Sequence, residues 1–397
     1  MFNFFQQLAC IQQNLRKLAM PRDVGAYLAE QQRKTTGDLA TDWGQLEEFY
    51  NKKLWHQLTL KLLEFVKNPI FTKGDGLIRM YENFLADFEH RINPLALVEL
   101  VIYVVRQITD PKNAIEFLEK VTEKVKGTDT ARVLCLTTMG TIRLKMKDLE
   151  TTKTLIEECR DILEKIDGIT TVHGRFYELS SNYHKLMGNH AEYYKEALRY
   201  LGCTTLDEIP SAEQVERSFN LALAALLGQG VYNFGELLAH PILESLKASD
   251  KSWLVDLMFA FNSGDIAKFE EYKSKWVTQA DLAANEIPLR QKISLLCLME
   301  MTFKRPATNR QLTFKEIADE TRLPENEIEL LVMKALSLGL VKGSIDEVDQ
   351  KVHMTWVQPR VLDLQQVSTM QKRLEQWCED VTQMERLLEV KAHDILT

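Results

Sequence analysis

The sequence predicts a mostly α-helical protein. It reads as a right-handed helical-repeat solenoid of tetratricopeptide type, followed by a winged-helix module and one long C-terminal helix. Three observations carry this. Gly is 17 and Pro 10 of 397 residues, below the usual shares of about 7% and about 5%, and helix interiors tolerate these two residues least. Apolar positions recur at helical spacing between turn signals, and the tail from Val367 to Ile395 carries a heptad pattern. The chain also exceeds the roughly 250–300 residues at which one core stops growing, so several modules or an extended repeat are required. With 45% hydrophobic residues it can bury a core, and its net charge of −8 argues against bulk attraction to nucleic acid or anionic lipid.

Residues 1–19 contain no acid, two bases (Arg16 and Lys17) and the apolar cluster Phe2, Phe4, Phe5 and Leu8. They lack the Ser of a mitochondrial presequence and read as an amphipathic or disordered extension of unknown role, with Met20 able to begin a chain itself. Residues 20–289 read as the solenoid. Leu95, Val98, Ile102 and Val105 form one buried stripe at the spacing of a helix face. Turn signals at Asp110, Asp148, Asn189, Gly230 and Gly264 are separated by 38, 41, 41 and 34 residues, which fits stacked helical hairpins of irregular length. One hairpin cannot bury its stripe alone, so neighbours must stack.

Residues 290–360 follow a different grammar. An apolar helix over Ile293–Phe303 is followed by Leu312-Thr313-Phe314, a short helix Lys315–Thr321, a turn at Leu323-Pro324 and a second helix Glu325–Leu338 that stops at Gly339. Two strands follow, Leu340–Ile345 and Lys351–Val357, the second alternating Val352, Met354 and Trp356 with Lys351, His353 and Thr355. Helix, strand, helix, turn, helix and hairpin is the order of a winged helix. Residues 361–397 read as one helix whose seam is Val367, Met370, Leu374, Trp377, Val381, Met384, Leu388, Lys391 and Ile395, spaced alternately by three and four. The helix exceeds the small domain before it, so foreign helices are its expected partners.

Enzymatic chemistry finds no footing in the pattern. There is no Gly-rich phosphate loop, no GxSxG, no HExxH and no HxH pair. The six cysteines are dispersed without CxxC, which suits reduced thiols in an intracellular protein, and Cys297 sits in the run Leu295, Leu296, Leu298 as an inert core thiol. His184 and His190 straddle the Gly188 turn with no carboxylate cluster around them. No catalytic, cofactor or metal residue is therefore assigned, and no run reaches the ~20 apolar residues of a membrane span. The winged helix suggests DNA binding by its fold alone, through its second helix. That helix carries Glu325, Glu327 and Glu329 against Lys334, and residues 291–360 hold ten bases and ten acids, so phosphate would be repelled.

Helical repeats running into a winged helix and a terminal helix resemble the PCI domain family, the scaffold proteins of the proteasome lid, the signalosome and translation initiation factor three. The similarity to proteasome-lid members rests on several segments. These include Leu54-Trp55-His56-Gln57-Leu58-Thr59-Leu60, Tyr81-Glu82-Asn83-Phe84, Asn233-Phe234-Gly235-Glu236-Leu237-Leu238 and His353-Met354-Thr355-Trp356-Val357-Gln358-Pro359-Arg360. It implies a non-catalytic, hetero-oligomeric scaffold subunit of cytoplasm and nucleus that serves degradation of ubiquitinated proteins without cofactor, nucleic acid or membrane. The two strands would form a lateral joint with neighbouring lid subunits, the wing offering an edge marked by Lys342, Ser344, Lys351, His353 and Thr355. The seam would enter a helical bundle. A signalosome or initiation-factor subunit, and a winged-helix nucleic-acid binder, are the alternatives.

Overall fold

A computed structural model describes residues 24–35, 38–68, 74–306, 309–361 and 364–391. The extension at residues 1–19 and seam residue Ile395 lie outside the described residues. The chain divides into two compact units, residues 1–183 and 184–397.

The first unit is built from α1 (Val24–Lys34), α2 (Asp38–Asn51), α3 (Trp55–Phe65), α4 (Pro94–Val105), α5 (Pro111–Lys124), α6 (Asp129–Lys145), α7 (Leu149–Leu163) and α8 (Thr171–Met187), whose last turn lies past residue 183. The turn residues do their work as N-caps. The side chains of Asn93, Asp110 and Asp148 accept from the backbone N–H groups of Leu95, Lys112 and Thr151 at 2.9, 3.0 and 3.3 Å, and α4 and α5 each start on proline, whose missing N–H costs nothing there. Along the stack α6 packs on α5 and α7, and also on α4, so alternate helices touch as hairpin repeats require. Close approach needs small residues. A Cβ on Gly140 of α6 would lie 2.6 Å from Leu179 Cδ2 of α8. Regularity breaks between α3 and α4, where a π-helical turn, Tyr81–Leu85, buries Tyr81, Phe84 and Leu85.

The second unit carries α9 (His190–Cys203), α10 (Ser211–Leu227), α11 (Ser252–Ser263) and α12 (Glu286–Lys304), with shorter helices between α10 and α11 and between α11 and α12. α11 ends on Gly264 at φ +67, where an added Cβ would stand 2.5 Å from Cys297 Cα of α12. Only glycine meets both conditions. α12 is nearly all buried from Ile293 to Glu300.

From α12 the chain forms the winged helix: β1 (Gln311–Thr313), α13 (Phe314–Thr321), α14 (Glu325–Ser337), β2 (Val341–Asp346) and β3 (Lys351–Val357). α13 begins with a reciprocal capping box between Thr313 and Glu316, and α14 buries Ile328, Val332 and Ala335 on one face. The sheet is antiparallel in the order β1-β3-β2. β3 is therefore the central strand, not an edge. The last element, α15, spans Leu364–Lys391, about 42 Å at 1.5 Å per residue.

Candidate partner-binding surfaces

The five wing residues expected at an edge divide between two strands of different standing. Lys342 and Ser344 lie on β2, an outer strand whose far side no other strand covers among the described residues. Lys351 and His353 lie on β3 where its two sides are taken by β1 and β2, so these two cannot offer edge backbone, while Thr355, also on β3, lies beyond the β1 pairing. The hidden cause is β1. It is three residues long, pairs Gln311 with His353 and Thr313 with Lys351, and converts an expected edge into a centre. What the sheet does bring together is a solvent face. Gln311, His353 and Ser344 form one cross-strand row, and all three side chains are exposed.

Trp356, expected inside with Val352 and Met354, is 37% exposed. The reason is a bulge: Gly343 pairs with Met354 and Lys342 with Trp356, leaving Thr355 as the extra residue on β3. One extra residue reverses which side the next ones face. Trp356 turns outward with the Lys342 ammonium 5.0 Å from its ring centre, and the Thr355 hydroxyl donates to the Lys342 carbonyl at 3.1 Å. Gly343 is required, because a Cβ there would meet the His353 carbonyl oxygen at 2.2 Å.

The wing is held against the repeats where β3 exits. Arg360 Nη2 donates to Glu300 Oε2 of α12 at 2.5 Å, and its Nη1 donates to the Asn262 carbonyl of α11 at 3.0 Å, with both charged groups about nine-tenths buried. One residue on, the Val361 backbone N–H donates to Asn233 Oδ1, which also receives the Gly235 N–H at 3.2 Å. A Cβ on Gly235 would stand 2.4 Å from Val361 Cβ. The segments Asn233–Leu238 and His353–Arg360 thus meet in space. A second tie runs through Glu270, whose carboxylate receives Arg290 at 2.7 Å and Arg322 at 2.5 Å.

Beside this joint, Lys292 of α12 is buried with its ammonium donating to the carbonyls of Ala225, Leu226 and Gly228 at 2.7–2.9 Å. Its three donors meet three acceptors at the C-terminus of α10, where the helix dipole favours a cation. Burial pushes its pKa down to about 7, against the pull of those carbonyls. In the sequence Lys292 is inconspicuous, one of two bases with Arg290 just before an apolar run.

α15 presents its seam to solvent. Val367, Met370, Leu374, Trp377, Val381, Met384 and Leu388 range from 45 to 64% exposed. Lys391 closes the described helix and is exposed as well. α14 adds an apolar surface that went unnoticed: Leu330 and Met333 face solvent, while Glu325 and Glu327 are exposed near its start. Helical spacing could have revealed them, since Ile328, Val332 and Ala335 already account for the buried stripe.

The buried thiols are held protonated. Burial pushes the thiol of Cys135 up to about 11 and those of Cys159 and Cys297 up to about 12. His184 and His190 fall in different helices, α8 and α9. Among the described residues no group of three His, Cys, Asp or Glu side chains could hold a metal ion, and no helix is long and apolar enough to cross a membrane.

Two family models match the chain. One describes PSD13 N-terminal repeats over residues 42–258, the other the PCI domain over residues 269–356. A 26S proteasome non-ATPase regulatory subunit 13 homolog B of Arabidopsis thaliana is 38% identical over 362 residues, 89% of this chain and 94% of the relative. The 26S proteasome non-ATPase regulatory subunit 13 of Dictyostelium discoideum is 38% identical over 375 residues, 92% of this chain and 97% of the relative. A probable 26S proteasome regulatory subunit rpn9 of Schizosaccharomyces pombe is 34% identical over 382 residues, 95% of this chain and 98% of the relative.

Proposed function

The chain belongs to the family of the 26S proteasome non-ATPase regulatory subunit 13, and from that premise we propose that it is a non-catalytic scaffold subunit of the proteasome regulatory particle. It acts as one member of a hetero-oligomeric lid, in cytoplasm and nucleus, and supports the degradation of ubiquitinated proteins through assembly instead of chemistry. The observation that carries this reading is the apolar seam on α15, seven described positions long and exposed in the lone chain. A heptad seam of this length is stable only beside other helices. The outer strand β2, with Lys342 and Ser344, and the solvent face of the sheet, with Lys351, His353 and Thr355, are the proposed lateral contact. The names of the relatives favour this reading over a signalosome or initiation-factor subunit. The acidic start of α14 disfavours a nucleic-acid binder.

Truncation after Gln366 tests the proposal. The shortened chain keeps its repeats and wing, as circular dichroism would register, and fails to enter the particle on native gels. Normal incorporation of the truncated chain would refute the role of α15.

A further inference from the structure

A cleft of about 460 Å³ opens in the first unit, and every residue lining it lies between Ile102 and Asn182. Its walls come from α4, α6 and α8, alternate helices of the stack, with the start of α5. The floor is apolar, formed by Ile102, Val105, Leu134 and Ile142. The polar groups divide sharply. Thr137, Thr138 and Thr141 donate their hydroxyls to carbonyls of their own helix at 2.7–3.0 Å and have nothing left to give. Arg175 stands 3.9 Å from Glu178 and is partly neutralised. Arg106 leans on the Tyr103 ring at 5.1 Å. Among the described residues neither Arg106 nor Lys145 has a carboxylate within ion-pair reach, and the Asn182 carboxamide makes no hydrogen bond to the protein. The lining therefore holds three cations against one carboxylate, on a chain whose net charge is −8.

We propose that this cleft binds an extended, acidic peptide segment of a partner protein. One apolar side chain of the segment fills the floor, flanking carboxylates meet Arg106 and Lys145, and the carboxamide of Asn182 pairs with the peptide backbone. Each assignment follows from chemistry left open in the free chain. An extended strand brings unpaired backbone N–H and C=O groups, and Asn offers both a donor and an acceptor to match them. Unpaired cations on a rim select carboxylates. A volume of this size is within the roughly 300–1,000 Å³ of ligand clefts.

Fluorescence anisotropy of a fluorescein-labelled peptide, Gly-Asp-Glu-Leu-Asp-Leu-Asp-Gly, titrated with the full chain tests this. Saturable binding that weakens with salt is expected, with a loss of at least about tenfold in Arg106→Glu/Lys145→Glu and a smaller loss in Asn182→Ala. Serines in place of the leucines should also abolish it. Both reversed side chains are exposed, so thermal unfolding should be unchanged; if the double reversal fails to fold, Arg106→Gln/Lys145→Gln gives the same reading. The proposal is overturned by absence of saturation at millimolar peptide, by equal binding of a peptide with Lys in place of its acids, or by unaltered affinity in the variants. Self-association of the chain that the same variants abolish would also overturn it, by assigning the cleft to a second copy.

Discussion

Arg360 and Glu300 form a buried ion pair at 2.5 Å across 60 residues of sequence, joining the exit of the wing to the central helix of the second unit. The same guanidinium reaches the Asn262 carbonyl, so a single side chain ties together α11, α12 and the segment leading to α15.

Replacing Arg360 with Met should lower stability by about 3–5 kcal/mol, because it leaves the Glu300 carboxylate buried with only the more distant Lys304 at 3.9 Å. Adding Glu300→Gln should recover part of the loss. Urea unfolding of Arg360→Met, Glu300→Gln and the double variant would measure both, and additive losses would show that the pair is not coupled.

Lys292 gives the chain a pH signature. Its pKa is about 7 when folded against an ordinary value of 10.5, so above pH 7 the unfolded state binds the extra proton and stability rises with pH. Below pH 7 the cost of the buried charge is fully present. The rise should be visible between pH 7 and 9, before the buried thiols act in the opposite sense: the folded state keeps their protons above pH 9, so stability then falls. Chemical denaturation of Lys292→Met over that window should show a flatter slope than the parent chain.

Gly264→Val should cost about 2–4 kcal/mol, combining a left-handed backbone with a Cβ that overlaps Cys297 Cα. Thermal melting reads the effect. The exposed glycine Gly127, where an added Cβ meets nothing, serves as the mild control.

Trp377→Asp/Val381→Asp should leave the unfolding free energy of the lone chain within about 0.5 kcal/mol of the parent, since both side chains face water there. The same change should block entry into the particle, as charge in a desolvated seam is costly. Cys378, exposed on the same helix, offers a second readout. Maleimide should label it in the free chain before Cys135, Cys159 or Cys297, and incorporation should slow that labelling.

Much of this architecture is legible in the residues because it depends on local signals. Asp110 and Asp148 announce turns, and Gly339 announces the end of α14. The seam of α15 is visible because nothing but spacing defines it. The strand order was not legible. A three-residue β1 carries too little pattern to be seen, and its pairing alone decides that β3 is central. Trp356 misled because alternation holds only while the register does, and the extra residue at Thr355 breaks it. Arg360 and Glu300 are each ordinary charges in sequence, and only the fold brings them into contact.

The bare ridge of α15 also bears on how the chain must be handled before it finds its neighbours. A newly made copy carries a sticky rod about 42 Å long, with a tryptophan near its middle, and any surplus over its companions would clump or be captured by chaperones. Supply matched to the other subunits, or swift disposal of the excess, is thus a demand written into the helix itself.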